Sequence, residues 1–255
     1  MKQYLWAGLA SLFLLTTTGC GNLQKLKEVN TLGIAGITYG KSINHVKENE
    51  TSSEGGISIS LDREKTEADK KLTFTDFDPE LKKFFDQVFD DLVKEVSSQG
   101  ISVKLAPSFK DNPILSTFYK DDRITDFAYF NPEGYVSGRL YQNIDQTKKL
   151  AESIPVDAIA YLSFNIVRKS ERVLLIPVEK LGLEIKMTVI HKDGTKILSN
   201  QVFQVFSDRK IDFNKILMGN SSNIQLIDPN SKALFDSLRI EIQKFIKEKI
   251  AEGRK

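Results

Sequence analysis

The sequence is poor in the residues that most reactive chemistry draws on. It has one cysteine, Cys20, and two histidines, His45 and His191. One cysteine cannot form an intrachain disulfide. With no cysteine cluster and no H-E-x-x-H spacing, a zinc site has no ligand set. Charge is nearly balanced, at 36 Lys and Arg against 34 Asp and Glu. Nucleic-acid binding needs a basic face, and this balance argues against one. Past residue 20, no apolar run approaches the roughly eighteen residues of a membrane span. No G-x-S-x-G elbow, Walker loop or G-x-G-x-x-G fingerprint occurs. Gly33, Gly36 and Gly40 have the wrong spacing for a phosphate cradle and read as strand bulges.

The remaining catalytic candidates are carboxylate pairs. A glycosidase holds two carboxyls about 5–9 Å apart across the scissile bond. Asp90 and Asp91 are neighbours on a helix and point apart, so they read as its wet face. Asp121 and Asp122 read as loop charges. His191 precedes an Asp193-Gly194 turn and reads as an exposed residue at a strand end, and His45 opens a polar loop. No catalytic residue, metal ligand or cofactor is assigned on these grounds.

What the chain does have is concentrated at its start. Met1-Lys2 supplies a charged n-region. Leu5 to Leu15 is an apolar stretch of 11 residues, and small residues then lead to Thr17-Thr18-Gly19-Cys20. This is the layout of a secretory signal. It is about half the length that a permanent bilayer span requires. A cysteine directly after such a leader resembles a bacterial lipoprotein signal of the relaxed, spirochaete-like kind, with Thr17 where leucine is usual and Gly19 fitting well. The resemblance implies cleavage between Gly19 and Cys20 and lipid on the Cys20 that becomes the first residue. It implies attachment to the membrane through that lipid. It also accounts for a lone cysteine at the leader's end. An ordinary cleaved signal with a stray thiol is the competing reading. Gly21 lacks the Asp that retains enteric lipoproteins at the inner membrane, which points to the outer membrane if the same sorting rule applies.

The expected organisation is a signal at 1–19, the lipidated Cys20 and a polar tether over 20–30, and one α+β domain over 31–255. Residues 31–43 read as a strand with a bulge or close approach at Gly36. Residues 44–72 read as a polar loop, in which Ile57, Ile59 and Leu61 alternate as a short edge strand. Residues 78–99 carry Leu81, Phe84, Phe85, Val88, Phe89, Leu92, Val93 and Val96 on one helical stripe. Asp78 caps that helix, Pro79 suits its first position, and Gly100 ends it. A strand is expected over 101–109. Asn131-Pro132-Glu133-Gly134 is expected as a turn between two aromatic-rich strands. A short helix follows over 144–154, ended by Pro155. Val156 to Val167 is apolar enough for a strand buried on both faces. Leu181–His191 and Lys196–Phe206 read as a hairpin around Lys192–Thr195. Residues 211–227 read as a loop, and 229–251 as a closing helix. The fold class is therefore α+β, a mixed and largely antiparallel sheet with helices packed on it.

That order resembles the periplasmic domain of the curli-secretion pore subunit family and the outer-membrane lipoproteins that activate penicillin-binding proteins. An early strand, a long helix ending in Gly100, the segment VDAIAYLSFNIV, the pair KMTVIHKDGTKILSNQVF and a terminal helix carry the likeness, over roughly residues 30–252. It implies a fold more than an activity. A pore would need two long amphipathic hairpins. Residues 44–73 are too polar for one, and 113–141 are marginal.

Functionally, the expectation is a non-enzymatic, lipid-anchored envelope lipoprotein that binds or scaffolds an envelope protein. Phe127, Tyr129, Phe130, Tyr135 and Tyr141 are the candidate partner surface, since aromatics flanking a turn serve recognition. The competing reading is a hairpin whose rings cover the sheet. A periplasmic cell-wall or glycan hydrolase and a surface-exposed host-interaction protein stand as alternatives.

Overall fold

A computed structural model of the chain describes residues 25, 28–46, 72–73, 79–118, 129–138, 143–173, 176–211 and 229–252. Four strands of 16 residues each dominate it: β1 (Thr31–Val46), β5 (Ala158–Val173), β6 (Ile176–His191) and β7 (Lys196–Ile211). Strands of this length run about 50 Å. Shorter pieces complete the sheet: β2 (Leu72–Thr73), β3 (Ser102–Leu105) and β4 (Tyr129–Phe130). The helices are α1 (Pro79–Ser98), α2 (Leu115–Phe118), α3 (Ile144–Ser153) and α4 (Pro229–Glu252).

The sheet runs β2-β1-β5-β6-β7. β1 lies parallel to β5 and β3, while β5–β6, β6–β7, β1–β2 and β1–β4 are antiparallel. The α+β class and the mixed, largely antiparallel sheet expected from the sequence are therefore what the chain adopts. β5 is central, and every side chain from Ala158 to Arg168 is buried. This agrees with its unbroken apolar pattern, because a strand covered on both faces has no wet side on which to alternate.

Successive residues of a strand face opposite ways, so Phe164 and Tyr161 of β5 mark the two faces. Phe164 points at α1, where its ring meets Tyr39, Phe85 and Phe89 at centroid distances of 5.7, 6.3 and 6.5 Å. α4 joins this layer through Phe84–Phe235 at 4.9 Å. On the other face Tyr161 meets Phe118 of α2 and the Thr147 hydroxyl of α3. The stripe of α1 packs as its spacing requires. Leu81, Phe84, Phe85, Val88, Phe89 and Leu92 are buried, and Val93 and Val96 are half-buried against the core. Gly100 ends the helix at φ +84°, and Asn143 caps α3 by accepting from the Asp145 and Gln146 amides.

Three expectations are corrected. The strand expected over 101–109 stops at Leu105 and becomes a 3-10 turn over Ala106–Phe109. Pro107 has no N–H to give a ladder. The aromatic hairpin around 131–134 does not close on itself among the described residues. The turn forms, with Gly134 at φ +84° and the Tyr135 amide donating to the Pro132 carbonyl. Both arms go to β1 instead: β4 pairs with Tyr39–Gly40, and Val136 bridges Gly36. β1 has an edge of unpaired amides to satisfy, and β3, Val136, β4 and β2 cover it in succession. Lastly, the strands outrun their apolar pattern. β5 and β6 stay in register from Ala158↔His191 to Val173↔Ile176, through the polar stretch Arg168–Arg172. Hairpin pairing propagates by backbone hydrogen bonds where side-chain alternation no longer signals it. Asp78 and the possible edge strand at 57–61 lie outside the described residues.

Candidate functional site

Gly19 and Cys20 lie outside the described residues, as do Phe127 and Tyr141. The structure begins at Lys25, and what it describes there is an attachment. Asp157, just before β5, takes four donors. The Asn30 amide lies at 2.9 Å, the Thr31 amide and hydroxyl each at 3.0 Å, and Lys192 Nζ at 2.9 Å. The Thr31 hydroxyl lies a further 3.0 Å from the Asp157 amide, so start of β1 and start of β5 are tied reciprocally. Earlier in the chain, Lys25 Nζ lies 3.1 Å from both Glu28 and Asp193 carboxylates. Lys25 is thus tied to the β6–β7 turn, and Asn30 and Thr31 to the strand starts.

Electrostatics follow from these contacts. Partial burial opposes the charge on Asp157, but Lys192 and the Asn30 and Thr31 donors outweigh it and hold its pKa at about 2. Asp193 is held below the usual carboxylate range, first by the Thr195 amide. Because the Asp157 pKa is depressed on folding, its contribution is present above the unfolded value near 4. It is lost as pH falls from about 4 towards 2, and amounts to about 2 kcal/mol. Asp157→Asn should therefore lower stability by about that much at neutral pH. It should also flatten the fall in unfolding free energy across that acid window, measured by urea unfolding at a series of pH values.

His191 closes β6 as its position suggested, but it is buried at 4 % exposure, not exposed as the sequence led one to expect. The strap covers it: Nε2 lies 3.9 Å from Glu28 Oε2, and Nδ1 lies 3.0 Å from Asp193 Oδ1. Asp90 is exposed as expected. Asp91 is not on the wet face: its oxygens accept from Arg239 Nε at 3.0 Å and from Gln243 at 2.9 Å, which locks α1 to α4. Burial works against its charge, and these two donors overcome it, so its pKa lies below the ordinary value. Asp121 and Asp122 lie outside the described residues.

The aromatic candidates divide. Tyr135 is a core ring, 8 % exposed, with its edge on Phe89 at 6.0 Å. Burial pushes its hydroxyl pKa up to about 12. Phe130 is half-buried and stacks on Tyr39 at 6.2 Å. Both rings pack on the sheet, because β4 and Val136 are drawn onto β1. Tyr129 is half-buried in β4.

Two polar features had no signal in the sequence. A row of polar side chains crosses the face that carries α3. Thr38 and Ser137 are buried and 3.2 Å apart. Asn165 reaches Glu184 at 3.3 Å, and Glu184 accepts from Gln204 at 3.1 Å and lies 3.1 Å from Lys186. Alternation could have placed Glu184 and Lys186 on one face of β6, but not across from Asn165. A cleft of about 550 Å³ opens beside Lys104, Phe109, Asn112, Ser153, Ile154 and Pro155. Two pairs of groups bond across it: Lys104 Nζ donates to the Ile154 carbonyl at 2.9 Å, and Asn112 to Ser153 at 2.9 Å. Among the described residues no three His, Cys, Asp or Glu side chains converge as a metal site, and no helix is long and apolar enough to cross a membrane.

No family model matches the sequence, and no curated protein matches it. Among solved structures, one described as the hypothetical protein CT253 from Chlamydia trachomatis is similar at a TM-score of 0.37 with 11% sequence identity. The likeness covers 89% of this chain and 96% of that one.

Proposed function

We propose that the chain is a lipid-anchored cell-envelope lipoprotein, held in the outer membrane by acyl groups on Cys20. Its α+β domain binds or scaffolds an envelope protein without catalysis. The observation that carries this is the leader: Met1-Lys2, an 11-residue apolar stretch, small residues, and the chain's single cysteine directly after Gly19. Each buried methylene contributes about 0.8 kcal/mol, so more than one acyl chain gives stable anchoring. Confinement to a membrane raises the domain's effective concentration for partners on the same surface.

Two ionisable candidates are already engaged within the fold. Asp91 is committed to Arg239 and Gln243, and His191 faces Glu28 and Asp193. Each is explained by holding the fold. Cys20→Ser tests the anchor. The unaltered protein is expected in the membrane pellet and the detergent phase, and the variant is expected to leave both almost entirely for the soluble fraction. A variant that stays with membranes would overturn the proposal.

A further inference from the structure

We infer that Lys25 and residues 28–31 form an orienting strap, which sets the domain on the membrane with the β6–β7 turn and the starts of β1, β3 and β5 towards the lipid and the far ends of β5 and β6 away from it. This deepens the anchored reading and rests on it. A flexible tether would let a domain tumble, and the contacts of this segment oppose that. Asp157 fixes residues 30 and 31 through both amides and the Thr31 hydroxyl, and Lys25 bridges to Asp193 at 3.1 Å. The exposed Lys25 pairs are weak singly. Residues 30 and 31 give Asp157 three donors, the two from Thr31 part-buried, so the strap holds from residue 30 even when Lys25 lets go.

Covalent geometry then limits the freedom of the anchor. From Cys20 to Lys25 is five residue steps, at most about 18 Å in any conformation. To Asn30 it is ten, at most about 36 Å. The sheet is about 50 Å long. β1, β3 and β5 are parallel and all start at the strapped end, where the β6–β7 turn also lies. The short tether therefore reaches the lipid most easily with that end down. Lys192 faces Asp157, and Lys25 faces Glu28 and Asp193. Covalent reach sets the orientation. A partner would then meet the lipid-distal half of the sheet.

The sequence supplies its own probe. Its one tryptophan is in the leader, and Cys20 is the sole thiol. The chain from Cys20 onward can be coupled through that thiol to maleimide lipid in phosphatidylcholine vesicles that also carry dansyl-headgroup lipid. Energy transfer is then read from Glu152→Trp, beside the strand starts, and from Lys180→Trp. Lys180 lies eleven residues back along β6 from His191, about 36 Å at the rise of a strand. Transfer is expected to be several-fold stronger from Glu152→Trp in these vesicles. Asp193→Ala, which spares the Asp157 clamp, should keep that ratio. Asp157→Ala with Asp193→Ala should bring it towards one, with folding checked by circular dichroism. Equal transfer from both positions in the unloosened protein, or stronger transfer from Lys180→Trp, would overturn the inference. Chemical coupling bypasses cellular lipidation, so failure here leaves the lipoprotein proposal standing, and the converse holds.

Discussion

Phe164→Ala is expected to lower the unfolding free energy by about 3–5 kcal/mol. Phe164 has no exposed surface and sits on the central strand, where three rings from β1 and α1 converge on it. Truncation removes its transfer free energy and leaves a cavity walled by Tyr39, Phe85 and Phe89. Those walls cannot collapse easily. Tyr39 is held by its hydroxyl, which donates to Asp86 at 2.9 Å, and Phe85 is stacked on Tyr39 at 4.8 Å. Domains are stable by about 5–15 kcal/mol in all, so this one change takes a large part of the margin. In urea the midpoint should fall with the slope unchanged. A loss below about 1 kcal/mol would mean that the α1 face is not the main core.

Gly138→Ala is expected to cost about 3 kcal/mol or more, by overpacking and not by a cavity. A Cβ at Gly138 would stand 1.7 Å from the Leu162 carbonyl oxygen and 2.6 Å from its carbon. Both atoms belong to the backbone of the central strand, so no rotamer relieves the clash. Moving the Gly138 segment instead would pull its amide off the buried Thr38 hydroxyl, which it reaches at 2.8 Å. Gly100→Ala is the control. Its φ is +84°, but nothing lies within 4 Å of the added carbon, so only backbone strain of about 1–2 kcal/mol should appear. Equal losses at the two sites would contradict the close approach at Gly138.

These positions also show what could be read from the sequence. α1 was legible because eight apolar residues fall on one stripe between Pro79 and Gly100. β5 was legible because its pattern has no wet side, and the β6–β7 turn because Asp193-Gly194 is a hairpin signal. Gly36 was expected as a bulge or close approach, and it is both. The β1 register shifts there, and a Cβ would meet the Tyr161 ring at 2.7 Å. Illegible features depended on partners distant in the chain. Nothing local to Val136 says that it will pair with Gly36. Nothing local to Asp157 says that it will take the amides of Asn30 and Thr31, more than a hundred residues earlier. His191 read as exposed because burial by Glu28 is a tertiary event. The polar row through Asn165 and Glu184 arises only once β5 and β6 are in register. For Cys20 the reading is of another kind, a processing signal addressed to the export machinery and not a folding code.

The most direct test of the account is the intact mass of the protein extracted from membranes, with Cys20→Ser as control. The account predicts a chain beginning at Cys20 whose mass exceeds that of residues 20–255 by a diacylglyceryl group and a further acyl group, and no such species from the variant. An unmodified chain, or one cut at another position, would contradict the anchor and with it the tethered role assigned to the domain.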